Sequence, residues 1–89
     1  MALQKYINLL SRFEAGDMSA SDFEDQYMKT FKGEKSHIDE PYFSALNDLF
    51  FDVDSYCDDP SLRDDGDIDG DELRGRARAA LKVLWRYIA

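Results

Sequence analysis

The sequence holds a single cysteine, Cys57. No internal disulfide can form, and there is no Cys-x-x-Cys pair to hold a metal. A reducing, cytoplasmic setting is the expectation that follows. Histidine is equally scarce: His37 stands alone in a polar stretch. One histidine and one distant thiol do not make a Cys/His or Ser/His/Asp set, so no catalytic residue is nominated and the chain is not read as an enzyme. Cys57 is then expected to be a small core residue. Long apolar runs are missing too. The opening "MALQKYINLLSRFEAG" has an apolar rhythm broken by Lys5, Asn8 and Arg12, which argues against a signal peptide or a membrane span. Glycine and proline together number only seven, and no strand-type alternation of any length is present.

What is present suits one small globular domain over residues 1–89, with 44% apolar and 13% aromatic residues. Four helical stretches are legible. The first runs over Ala2–Glu14, with Leu3, Tyr6, Ile7, Leu10 and Phe13 on one face and Gly16 as its stop. Ser19 or Ser21 can cap a second, marked by Phe23, Tyr27 and Phe31 and closed by Gly33. The polar connector "GEKSHIDE" follows. A third begins with Pro41 at the first helical position, carries a wide apolar face from Tyr42 to Tyr56 and Cys57, and ends at Asp59-Pro60. A fourth starts near Asp69, with Leu73, Ala77, Ala80, Leu81, Leu84 and Ile88 in one stripe and Trp85 at the bundle edge. The expected fold is all-α, an antiparallel four-helix bundle.

Charge is distributed unevenly. Residues 39–72 contain thirteen acids and one base, Arg63, for a net charge of −12. The remaining residues hold six acids and ten bases, net +4, which gives −8 for the whole chain. The last 17 residues carry Arg74, Arg76, Arg78, Lys82 and Arg86 and no acid. Phosphates would be repelled by the negative block, so direct nucleic-acid binding is not expected. A basic protein is the expected partner.

The centre of that block, "DDGDIDGDELRG" from Asp64 to Gly75, begins like a calcium loop: Asp65, Asp67, Asp69 and Gly70 fill its first six positions. The eighth place holds Glu72, and the twelfth, which needs a bidentate carboxylate, holds Arg76. A small EF-hand-like calcium-binding module is therefore the rival reading rather than the leading one, and no metal ligand is assigned. Asp69 and Glu72 read better as the two ends of a capping box. Capping leaves Asp58, Asp59, Asp64, Asp65 and Asp67 unexplained. Mutually repelling aspartates do not help a chain to fold. They suit a docking surface for a cationic site, with a merely solubilising loop as the plain alternative.

The stretch from Asp54 to Arg74 also carries a pattern: Asp54, Tyr56, Asp59, Pro60, then Leu62, Arg63, Asp64, then Asp67, Ile68, Asp69, Gly70, then Glu72, Leu73, Arg74. In this pattern the chain resembles the bacterial self-protective colicin-like immunity family, including guards against toxins of contact-dependent growth inhibition. The N-terminal half matches by helix rhythm and by "FEAGDMSASDFEDQY". The resemblance implies a helical bundle without cofactor that inhibits a toxin nuclease domain, of the kind that cuts tRNA, as a 1:1 heterodimer. The acids expected to act as phosphate mimics are Asp52, Asp54, Asp58, Asp59, Asp64, Asp65, Asp67 and Asp71. Phe51, off the apolar stripe and flanked by acids, is the expected aromatic anchor.

Overall fold

A computed structural model describes residues 2–57, 61 and 68–88. Its four helices are α1 (Ala2–Glu14), α2 (Ala20–Lys32), α3 (Tyr42–Asp54) and α4 (Gly70–Ile88). The expected all-α bundle is what forms: α4 packs against α1 and α3, and α2 against α3 and α1.

Helix α1 follows its sequence rhythm closely. Leu3, Tyr6, Ile7, Leu10 and Phe13 are all buried. Gly16 adopts a positive φ of 87°, which lets the Gly16 amide donate to the Phe13 carbonyl at 3.1 Å and the Asp17 amide to the Arg12 carbonyl at 2.9 Å. Those two bonds form a Schellman stop, the conformation that favours glycine. Ser19, rather than Ser21, caps α2, its Oγ accepting from the Asp22 amide at 3.1 Å. Phe23 and Tyr27 are fully buried, and the Tyr27 hydroxyl donates to the Leu46 carbonyl at 2.7 Å. Burial lifts the Tyr27 pKa well above the ordinary tyrosine value. Phe31 is only half-buried, because it lies against Phe43 and Phe50 at the bundle margin.

Helix α3 differs from its expected bounds at both ends. Pro41 stands one place before the helix, following a cis peptide bond from Glu40, and offers no side-chain cap. The Asp39 carbonyl accepts from the Phe43 amide at 3.0 Å, and the Glu40 carboxylate accepts from the Ser44 hydroxyl. At the other end the helix stops at Asp54, well short of Asp59-Pro60. Tyr56 and Cys57 leave the helix because Tyr56 bridges to Ile68 in parallel. The Ile68 amide donates to the Ser55 carbonyl at 3.0 Å and the Cys57 amide to the Ile68 carbonyl at 3.1 Å. Cys57 is consequently half-buried at this junction rather than in the core.

The core also takes Met18, Ile38 and Ile68, three isolated apolar residues from connecting stretches. In α4, Leu73, Ala77, Ala80, Leu81 and Leu84 are buried as expected. Trp85 is 47% exposed, and the Ile88 side chain lies outside those described. Among the described residues no helix is long and apolar enough to cross a membrane.

Candidate protein-docking surface

The Tyr56–Ile68 bridge holds together the two ends of the acid-rich segment between them. Asp58, Asp59, Asp64, Asp65 and Asp67, five of the expected contact residues, lie outside the described residues. The other four are placed on the helices that flank the segment.

Phe51, Asp52 and Asp54 occupy the last turn of α3. Phe51 is 59% exposed, its ring edge-on to Phe50 with centroids 5.8 Å apart. A benzyl group held in water by a folded neighbour is the form an aromatic anchor takes before its partner arrives. Asp54 is exposed, and among the described residues no cation reaches it. Asp52 turns the other way, towards α4. Its side chain is 27% exposed, and its Oδ1 lies 3.7 Å from Arg76 Nη1. Burial raises the Asp52 pKa above the ordinary carboxylate value; Arg76 opposes this rise and the neighbouring Asp48 adds to it. Asp71, in the first turn of α4, is 97% exposed, with Arg74 Nη1 at 3.7 Å. Thus Phe51, Asp54 and Asp71 face solvent around the bridge, whereas Asp52 sits in the α3–α4 seam.

The start of α4 is built as a capped helix. Asp69 Oδ1 accepts from the Glu72 amide at 2.8 Å, and Asp71 and Glu72 follow in the first turn, where the helix dipole favours anions. The calcium alternative loses ground here. Its third ligand, Asp69, is engaged as a cap, and Arg76 at its twelfth place is turned to Asp52. Its other two ligands, Asp65 and Asp67, are outside the described residues.

The arginines of α4 carry a role that sequence reasoning missed. Arg74 Nε donates to the Phe13 carbonyl at 3.2 Å, and its guanidinium lies 4.9 Å from the centroid of the Phe13 ring. It thereby stacks on one of the most buried rings while placing a cation at the C-terminus of α1, the negative end of that helix. Arg78 Nε meets Glu14 Oε1 at 3.1 Å. With Arg76 on Asp52, three cations of the basic helix are committed to α1 and α3. One signal for this was available. Arg74 and Arg78 are four apart and border the Leu73–Ala77–Leu81 stripe, rather than lying opposite it.

Comparison with known protein families gives a match over most of the chain. The model of a family described as "Bacterial self-protective colicin-like immunity" matches residues 1–84, almost the whole chain. No curated protein matches it.

Proposed function

The chain belongs to the bacterial self-protective colicin-like immunity family, whose members neutralise a toxin, and from that premise we propose that its target is a nuclease domain held through an acidic surface in place of nucleic-acid phosphates. Immunity proteins are inhibitors rather than enzymes, so the residues to account for are contacts, not catalysts. One observation carries the finer reading. Exposed Asp54 and Asp71 flank the bridge between α3 and α4, five further acids fall between Tyr56 and Ile68 in sequence, and Arg74 and Arg78 each make a contact with α1. The field around the bridge therefore stays negative, and a nuclease cleft lined with Lys and Arg for RNA is its natural complement. We place the contacts at Phe51, Asp54 and Asp71 on the flanking helices and at Asp58, Asp59, Asp64, Asp65 and Asp67 between them. Asp52 contributes mainly to the field, because its carboxylate already faces Arg76. The complex is 1:1, its nuclease a tRNase, and its meeting place the cytoplasm of the producing cell.

Charge reversal tests this reading. Asp64→Lys with Asp65→Lys slows association with the cognate toxin domain. The effect is largest at low ionic strength, where screening is weakest. The melting temperature of the free protein is unchanged or raised, since mutual repulsion is relieved. A loss of stability with no change in association rate would make the cluster structural.

A further inference from the structure

A recess lies at the other end of α3, beside the α2–α3 connector. It encloses about 470 Å³ and is lined by Phe31, Glu34, Ser36, His37, Ile38, Glu40 and Phe43. That volume is within the range of about 300–1,000 Å³ usual for ligand sites. Ile38 is a buried apolar wall, and half-buried Phe31 stacks with Phe43, centroids 6.2 Å apart and planes at 29°. Phe43 is nevertheless 42% exposed, so part of a ring already packed against Phe31 remains in water.

The rim is anionic. Glu34 and Glu40 line the groove, and among the described residues no Lys or Arg does. The two carboxylates differ in availability. Glu34 is taken up by Lys5 Nζ at 2.8 Å, the Tyr6 hydroxyl at 2.9 Å and the Ser36 amide at 3.2 Å. Glu40 is exposed and accepts only from the Ser44 hydroxyl among the contacts described, which leaves lone pairs facing solvent. An aromatic face beside an unspent carboxylate suits a planar cation. A guanidinium can stack on the one and make paired hydrogen bonds to the other, which an ammonium cannot.

We infer that this groove accepts an arginine side chain of the toxin domain, with its guanidinium on the Phe43 ring and paired with the Glu40 carboxylate. The inference rests on the immunity reading, which supplies a basic partner. Its geometry agrees with that reading. The thirteen residues of α3 span about 20 Å, and a standard interface of about 800 Å² per partner is about 30 Å across. One partner can therefore cover both the groove and the acidic bridge.

The test is surface plasmon resonance of the cognate toxin domain, captured by the wild type and by Phe43→Leu, Phe43→Trp and Glu40→Gln, with melting temperatures alongside. Leucine keeps an apolar side chain and removes the π face. Phe43→Leu weakens binding about tenfold, chiefly through faster dissociation, and Phe43→Trp retains it. Glu40→Gln keeps an acceptor for Ser44 and weakens binding about fivefold. If the wild type binds and Phe43→Leu and Glu40→Gln bind equally well, the groove assignment is overturned while the immunity reading stands. If the wild type does not bind, that reading falls and the groove's occupant falls with it. Self-association of the free protein that is lost in Phe43→Leu would assign the groove to a second copy and overturn the inference.

Discussion

Two part-buried carboxylates show how differently the same chemistry is used. Glu34 has a side chain only 9% exposed, but Lys5, Tyr6 and Ser36 all donate to it. The Lys5 hydrogen bond is the main reason its pKa lies below the ordinary value, against the opposing effect of burial. The same arrangement raises the pKa of Tyr6, first through burial and then through the Glu34 contact. Asp52 has a single distant cation at 3.7 Å, and burial wins, raising its pKa. At neutral pH Glu34 therefore stabilises the fold and Asp52 does not. For Glu34 the sign is fixed by the lowered folded-state pKa. Its contribution is present above the unfolded value of about 4.3 and is lost as pH falls through the folded-state value. We predict that Glu34→Gln destabilises the protein by about 1 kcal/mol at pH 7, a figure held down by the half-exposed Lys5 end of the pair. Urea melts at pH 7 and pH 3 measure this, and the difference between variant and wild type shrinks at the lower pH. An equal loss at both would show that packing, not charge, is what the substitution removes.

Among the elements, α4 places a capping carboxylate and a solvent-facing one within a few residues of each other. Asp69 caps the helix, whereas Asp71, two places on, points into solvent. Asp69→Ala should lower stability by about 1 kcal/mol, or about 4–8 °C in melting temperature for a domain of this size, with toxin affinity unchanged. A variant with the wild-type melting temperature and weaker toxin binding would move Asp69 from the cap to the docking surface. Element by element, what was legible is what is local. Leu3, Tyr6, Ile7, Leu10, Phe13 and Gly16 specify α1 and its stop within one short stretch, so sequence and structure agree there. Tyr56 and Cys57 continue the helical spacing of α3 just as well. Their exit is set by Ile68, twelve residues away from Tyr56, and no periodicity reports such a pairing. Arg74 is a stronger case, since its partner carbonyl is 61 residues distant. In sequence it reads as one cation of a basic helix, and only packing turns it into the cap of α1. The orientation of Asp52 towards Arg76 is equally non-local, since it depends on how α3 meets α4. Phe51 was legible because it broke its helix's stripe, and it is exposed.

For the whole molecule, the basic and acidic halves do not simply cancel. Arg74, Arg76 and Arg78 contact Phe13, Asp52 and Glu14 on α1 and α3, and the formal net charge of the whole chain is −8. On the proposed function, the α3–α4 junction is the part of the domain that meets a basic partner. Stability comes mainly from the aromatic and aliphatic core through Phe13, Phe23, Tyr27 and the α4 stripe. The most direct test is a titration. The toxin domain of the proposed complex is assayed on tRNA while this protein is added in increasing ratio. The account predicts that cleavage declines linearly and stops at one equivalent. Undiminished cleavage at a tenfold excess of the folded protein would contradict it.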